Sequence, residues 1–185
     1  MGDHTQLKAT LVAAEGALGH MYLDTVGLVT VGVGHMTPNA EAAQKLEFIV
    51  RSNGSAATSE QIAADYVSVS RQQKGMLAPH YRPFTSLDMT EAAIQDLLSA
   101  DLAEVEAGVR ARFAGYDEYP EPAQEALLDM AFNLGVAGLA GHYPHLKAAA
   151  EARDWATCAA QCHRNGISED RNAKTKALFE SASNG

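Results

Sequence analysis

The sequence predicts an α+β fold that is mostly helical, with one small β element near the N-terminus. Apolar residues recur every three or four positions over residues 90–112, which indicates a long amphipathic helix. The segment around residues 123–132 is nearly apolar on all sides, so we expect it to form a buried central helix. Residues 21–33 are rich in β-branched residues and glycine around Val26-Gly27, the pattern of a β-hairpin.

A helix is predicted to precede this hairpin. Asp3 and Gln6 form its expected capping box, and an apolar stripe of helical spacing then leads to Glu15. Gly16 and Gly19 are predicted to end the helix. The sequence therefore places a carboxylate at the junction between this helix and the hairpin.

The hairpin leads into a segment that is harder to assign. Gly32 and Gly34 alternate with valines, so we expect another group to approach the backbone closely there. Residues 36–88 are predicted to contain a helix over 40–50, a loop over 51–55, a helix from Thr58 or Ser59 to about Gln73, and irregular chain over 75–88.

The C-terminal half is predicted to be entirely helical. The long helix is followed by one that opens at Pro122 and that Gly135, Gly138 and Gly141 break. Further helices are expected over residues 145–151, 155–163 and 174–183. We interpret residues 1–185 as one domain, with an N-terminal lobe over 1–88 and a helical lobe over 89–185.

Composition limits the range of functions. The net charge is −9, and the chain has no run of lysine or arginine that could neutralise phosphates, which argues against nucleic-acid binding. The same charge disfavours adsorption to an anionic surface from outside the cell. The N-terminus shows no secretory signal, and no apolar stretch reaches the roughly 20 residues that span a bilayer, so no membrane insertion is expected.

The two cysteines, Cys158 and Cys162, are four residues apart in a helical stretch. We interpret them as small buried thiols because this spacing gives poor geometry for a disulfide. A metal site shared with His163 would need a second ligand cluster, and the neighbouring sequence offers none. We therefore predict no metal and no cofactor.

The chemistry is concentrated between Glu15 and Thr30. Hydrolysis of a glycosidic bond needs a protonated carboxylic acid and an ionised carboxylate. Glu15 suits the acid, because partial burial on its apolar helix would favour the protonated form. Asp24 at the hairpin turn suits the ionised carboxylate, and Thr30 can orient water. Taken singly, a glutamate at a helix end is usually a solvated charge, and an aspartate before a glycine turn is usually a turn residue.

The pattern E-x8-D-T-x4-T-x-G-x-G-H, which begins at Glu15 and ends at His35, resembles the active-site segment of the phage T4 lysozyme family, the endolysins of glycoside hydrolase family 24. The resemblance implies a lysozyme-like fold with a hairpin lobe and a helical lobe. It implies that Glu15 is the general acid, and that Asp24 and Thr30 position the water that attacks the sugar with inversion.

A second block, LLDMAFNLGVAGLAG over residues 127–141, resembles the buried helix of that family and the turn after it. By this resemblance Phe132 and Asn133 line the substrate cleft, with core packing as the alternative for Phe132. We expect Asn133 to require a partner in its apolar helix. The stretch RDWATCAAQC implies Gln161 as a further cleft residue.

Two other residues are expected near the site in structural roles. His35 closes the hairpin motif and is expected to form an ion pair or hydrogen bond. Arg171 lies where relatives carry an arginine pair near the catalytic glutamate, although the second position is Asn172 here. The resemblance covers residues 3–35 and 89–180. The segment between them is enlarged, and its HYRPF stretch (80–84) is either part of the cleft or exposed filler.

The sequence thus predicts a peptidoglycan muramidase that needs no cofactor and acts as a monomer. It is either a phage endolysin or an antibacterial effector with an immunity protein or a secretion-apparatus partner, and the negative charge favours the effector. We expect synthesis in the cytoplasm without a signal peptide and action in the periplasm after delivery. A peptidoglycan-binding module without activity and a lytic transglycosylase are the alternatives.

Overall fold

Helices make up 59% and strands 10% of residues 4–183, the part of the chain that this computed structural model describes. The fold is α+β and mostly helical, as predicted, and is consistent with a lysozyme-like fold. The chain forms two compact units, one of residues 8–100 and one of residues 4–7 with 101–183. The expected capping residue Asp3 lies outside the described residues.

The first half of the chain contains both β-sheets. Its helices and strands, in chain order, are α1 (Thr5–Glu15), β1 (Leu18–Leu23), β2 (Val29–Gly32), β3 (His35–Thr37), α2 (Ala40–Ala43), β4 (Ile49–Val50), α3 (Ser59–Ser70), a 3-10 helix (Ala78–Phe84), β5 (Leu87–Asp88) and α4 (Glu91–Arg110).

The predicted hairpin is confirmed. Strands β1 and β2 pair antiparallel, and β3, which the sequence did not predict, pairs with the other side of β2. The central strand β2 is buried along its whole length. Tyr22 lies opposite Thr30 in this sheet, and Thr30 lies opposite Met36, so the three residues form one row across it.

Gly16 ends helix α1 as predicted, but Gly19, Gly32 and Gly34 have different roles from those predicted. Helix α1 ends at Glu15, but Gly19 lies inside β1. A Cβ at Gly19 would lie 3.0 Å from the Met89 carbonyl oxygen, so Gly19 permits a close backbone approach. Gly32 and Gly34 instead have φ values of +65° and +78°, and they turn the chain from β2 to β3. The close approach predicted at these two positions is wrong. A Cβ added at either glycine would contact no described atom more closely than an ordinary van der Waals contact.

The helix predicted over residues 40–50 is also wrong, because α2 ends at Ala43. The chain then forms β4, whose β-branched Ile49 and Val50 pair antiparallel with Asp88 and Leu87 of β5. Helix α3 is confirmed with its capping box, in which Thr58 and Gln61 exchange side-chain and backbone hydrogen bonds.

Two polar side chains, the half-buried Arg51 and the buried Asp65, hold the segment after α3 in place. The Arg51 guanidinium donates to both Asp88 carboxylate oxygens (2.8 and 3.1 Å) and to groups of Thr85 and Leu87. The Asp65 carboxylate accepts hydrogen bonds from the backbone N–H groups of Ser86 and Leu87 at 2.8 and 3.0 Å. Residues 36–88 are therefore an ordered part of their unit.

The HYRPF stretch forms most of the 3-10 helix. Its Tyr81 is fully buried, and the Tyr81 hydroxyl donates to the Gln73 carbonyl oxygen at 2.8 Å. Tyr81 is therefore a core residue, and the interpretation of this stretch as exposed filler is wrong for it. His80 is exposed and contacts the rings of Tyr81 and Phe84.

The second half of the chain is helical throughout. After α4 come a short 3-10 helix (Tyr116–Glu118), α5 (Glu121–Leu134), α6 (Val136–His142), α7 (Pro144–Glu151), α8 (Trp155–Gln161) and α9 (Glu169–Ala182). Helix α5 is the central buried helix that the sequence predicts, and α9 packs against it. Helix α9 begins at Glu169 because Ser168 caps it, which is earlier than predicted.

Of the three glycines expected to break the helix after residue 134, only Gly135 does so. Gly138 and Gly141 lie within α6, so their predicted role is wrong. Cys158 and Cys162 are free and buried, as predicted. Within residues 4–183, no helix combines the length and the apolar character that crossing a membrane requires.

Candidate active site

Glu15 is the last residue of α1. The Gly16 N–H group completes the final turn by donating to the Val12 carbonyl oxygen at 3.0 Å, and the chain then enters β1. The Glu15 side chain is exposed, so the predicted partial burial is not observed. A carboxylate in this position can meet a ligand directly.

Asp24 organises the turn between β1 and β2. Its Oδ1 atom accepts hydrogen bonds from the backbone N–H groups of Val26, Gly27 and Leu28 at 3.0, 2.7 and 2.8 Å. Within the part of the chain that the structure describes, Oδ2 has no hydrogen-bond donor. The carboxylate is therefore fixed through one oxygen, and the other oxygen can accept a proton or a hydrogen bond.

Thr30 lies in the central strand and is only 2% exposed. Its hydroxyl donates to the Leu28 carbonyl oxygen at 3.1 Å. Because the hydroxyl proton is engaged there, the lone pairs of Oγ1 remain as acceptors. Thr30 can therefore orient a water molecule by accepting a hydrogen bond from it.

Tyr22 is a further residue of this small sheet, and no motif in the sequence indicates a role for it. It is half-buried on β1, opposite Thr30. Burial raises the pKa of its phenol above the usual 10, and the negative charges of Asp24 and Glu15 raise it further. Both carboxylates thus act on the same phenol, and that phenol stays protonated at neutral pH.

His35 begins β3 and lies opposite Val31 of β2, so it belongs to the same small sheet. Its side chain is half-buried and engaged with another group. The structural role expected for it stays a prediction.

The substrate-binding residues implied by the resemblance lie in the helical unit. Phe132 is half-buried in the last turn of α5, and the neighbouring Asn133 is exposed. The expectation that an apolar environment forces Asn133 to find a partner is therefore wrong, because water can reach it. Gln161, at the end of α8, lines a hollow of about 310 Å³ together with Tyr143 and three histidines, His142, His145 and His163.

Arg171 is buried at the start of α9, where its guanidinium contacts the buried Asp129 carboxylate at 2.9 Å. A second buried arginine, Arg164, contacts the other oxygen of Asp129 at 2.6 Å. Asp129 therefore pairs with both Arg164 and Arg171. Asn172 instead holds the Arg164 backbone through its N–H and carbonyl groups at 3.0 and 2.9 Å.

The pKa values of both buried cysteines are raised. Burial, followed by the charges of Asp154 and Cys162, raises the pKa of the Cys158 thiol to about 12, so it is not a nucleophile at neutral pH. Within residues 4–183, no three histidine, cysteine or carboxylate side chains are placed to hold a metal ion.

Comparison with known protein families shows which family the chain is related to. The model of the phage lysozyme family matches residues 72–179, which is more than half of the chain. The chain belongs to the phage lysozyme family. For a phage lysozyme, membership suggests hydrolysis of peptidoglycan. A comparison with curated proteins found no match.

The range of this match differs from that of the motif resemblance. It includes Phe132, Asn133, Gln161 and Arg171, and it begins inside the enlarged middle segment. Glu15, Asp24 and Thr30 precede it. The assignment of these three residues therefore depends on the hairpin motif and on the geometry around Tyr22.

Proposed function

We propose that this phage lysozyme is a muramidase that cleaves the β-1,4 bond between N-acetylmuramic acid and N-acetylglucosamine in peptidoglycan, with inversion. The observation that carries the proposal is that Glu15 ends α1 directly before the hairpin that carries Asp24 and Thr30, with both carboxylate charges raising the pKa of the Tyr22 phenol opposite Thr30. Such a site combines a proton donor with an acceptor for water, the two groups that glycoside hydrolysis requires.

In this mechanism Glu15 donates its proton to the leaving glycosidic oxygen. On the opposite face of the sugar, Asp24 Oδ2 accepts a proton from the attacking water, and Thr30 Oγ1 accepts the second hydrogen bond from that water. The three N–H groups that fix Asp24 Oδ1 keep the carboxylate in position.

The helical unit would supply the substrate contacts. We propose that the exposed Asn133 amide binds an N-acetyl group or a saccharide hydroxyl, and that the half-buried Phe132 ring packs against a sugar face. Gln161 is proposed as an additional contact, since it is exposed beside a hollow with polar walls. The role proposed for Arg171 is structural, through its ion pair with Asp129.

Substitution of the two carboxylates tests the mechanism. Glu15→Gln removes the proton donor and is expected to lower kcat by about 10² or more. Asp24→Asn is expected to be equally severe, although the amide oxygen can still accept the three turn hydrogen bonds. Glu47→Gln is the matched control, because Glu47 is exposed in the same unit and forms no ion pair within residues 4–183. Release of soluble fragments from purified sacculi measures the rates.

Activity of Glu15→Gln within a few-fold of wild type would contradict the proposal. The chemical ends of the released fragments also distinguish the alternative functions. A muramidase releases reducing ends, a lytic transglycosylase releases anhydromuramyl ends, and a binding module releases no fragments. Inversion predicts that the first product formed is the α-anomer, which NMR detects before mutarotation.

For the biological setting we propose delivery into the periplasm as an antibacterial effector, with release of a phage endolysin as the second possibility. The net charge of −9 supports delivery, because an acidic enzyme gains nothing from electrostatic attraction to an anionic envelope. An immunity protein in the producing cell would then be the expected partner.

A further inference from the structure

Tyr22 belongs to the candidate site, but neither the motif nor the mechanism above assigns it a function. It lies directly opposite Thr30 in the antiparallel pair of β1 and β2. Side chains at opposite positions lie on the same face of a sheet, with Cβ atoms about 4.5–5.5 Å apart. The Tyr22 ring therefore lies beside the Thr30 side chain.

The Tyr22 hydroxyl is a donor that the protein leaves available. Among residues 4–183, no group forms a hydrogen bond with it, and the side chain is only half-buried. The charges of Asp24 and Glu15 both act on the phenol. The hydroxyl can therefore donate its proton to a molecule bound beside Thr30.

The attacking water molecule needs a hydrogen-bond donor of this kind. Thr30 Oγ1 gives its own proton to the Leu28 carbonyl oxygen, so it acts as an acceptor toward water, as does Asp24 Oδ2. A water that donates to both has used its two protons and retains two lone pairs. One lone pair attacks the anomeric carbon, and the other needs a donor to fix its direction.

We propose that the Tyr22 hydroxyl donates a hydrogen bond to the attacking water, which makes Tyr22 a positioning residue of the hydrolysis. The inference rests on the proposed function. In the step itself a bond forms between the water oxygen and the anomeric carbon, while the bond from that carbon to the glycosidic oxygen breaks. Glu15 protonates the leaving oxygen and Asp24 takes a proton from the water. Tyr22 keeps its own proton.

Tyr22→Phe tests this role, because it removes only the hydroxyl. We expect kcat to fall about tenfold, with KM within twofold of wild type, since the water and not the sugar loses its contact. Tyr66→Phe is the matched control: Tyr66 is a half-buried tyrosine of the same unit with no hydrogen bond to a described residue. It should retain wild-type activity. Both variants are assayed at a temperature at which their circular dichroism equals that of wild type.

A double-mutant cycle with Thr30→Val separates positioning from general packing. If both hydroxyls hold one water, the combined loss should be clearly smaller than the product of the two single losses. A kcat of Tyr22→Phe within twofold of wild type, a loss confined to KM, or fully multiplicative losses would overturn the inference. If Glu15→Gln and Asp24→Asn are inactive in the same assay, the proposed function stands and only the role of Tyr22 fails.

Discussion

At the scale of single residues, Asp129 is a buried charge outside the candidate site, and its charged partners are buried as well. Its carboxylate is buried in α5 and contacts two buried guanidinium groups, those of Arg164 and Arg171, as well as the Thr175 hydroxyl at 2.8 Å. The Asp129 carboxylate thus faces two buried positive charges. Removing one partner of such a group leaves a buried charge uncompensated. The resulting loss of stability is larger than the net stability that the ion pair contributes.

Asp129→Asn is therefore expected to lower the free energy of unfolding of the helical unit by about 3–5 kcal/mol. Asp170→Asn is the control, because Asp170 forms an exposed i,i+4 pair with Lys174, and its loss should cost less than about 1 kcal/mol. Urea unfolding followed by fluorescence of the single tryptophan, Trp155, measures both variants, since Trp155 packs on Tyr119 in this unit. Equal midpoints for the two variants would contradict the argument.

Residues that belong to one short stretch of sequence could be predicted together. Contacts between residues that are far apart in the sequence could not be predicted. Glu15, Asp24 and Thr30 belong to one continuous motif and lie in one unit of the structure. The Asp129 contact to Arg164 joins residues 35 positions apart, and no local pattern indicates it. Tyr22 was missed for a different reason, because an aromatic residue in a strand is usually explained by packing alone.

At the scale of elements, helices with caps and a clear period were predicted well. Helix α3 begins at its capping box, and α4 begins after Thr90, whose hydroxyl oxygen accepts from the Ala93 N–H group at 3.1 Å. The failures involve elements that depend on a distant partner. Strand β4 exists because it pairs with β5 nearly forty residues later, and this pairing overrides the helical tendency of the alanines before it.

The pairing of β4 with β5 leads to a prediction for Arg51, which spans both strands. Lysine cannot reproduce the planar fork that binds Asp88, Thr85 and Leu87, so Arg51→Lys should cost about 1–3 kcal/mol. The expected result is faster hydrogen exchange in peptides covering β4 and β5, measured by mass spectrometry at pH 7. Arg71→Lys is the control, because its exposed side chain forms no hydrogen bond within residues 4–183.

The stability difference between Arg51→Lys and wild type should change with pH in a defined direction. Burial raises the pKa of the Asp88 carboxyl, but the hydrogen bond and charge of Arg51 outweigh it, so the pKa in the fold is below the usual 3.8. A lowered pKa contributes stability above the unfolded value and loses it as pH falls through the folded value. The difference between Arg51→Lys and wild type should therefore shrink below about pH 4. The part due to the Thr85 and Leu87 hydrogen bonds should remain in acid, so a difference that does not shrink at all would exclude the Asp88 ion pair as a contributor.

At the scale of the whole molecule, the net charge is the feature that bears on how this member of the phage lysozyme family would meet an anionic substrate. The net charge of −9 repels anionic wall polymers at long range, and this repulsion weakens as salt screens it over about 10 Å at 0.1 M. The charge does not determine the fold. It affects the rate at which enzyme and substrate meet, which depends on how the enzyme reaches the wall.

Reversal of surface charge tests this view without altering the candidate site. Glu47→Lys and Glu104→Lys together change the net charge from −9 to −5, since each change adds two charges. Both glutamates are exposed and form no ion pair within residues 4–183. Lysis of permeabilised cells by this variant should be faster than wild type at low salt, and the advantage should disappear as salt rises. Glutamine at the same positions should give half the charge change and an intermediate gain. If the lysine variant keeps its advantage at high salt, electrostatic encounter does not limit the enzyme, and the acidic surface is no argument for delivery inside the envelope.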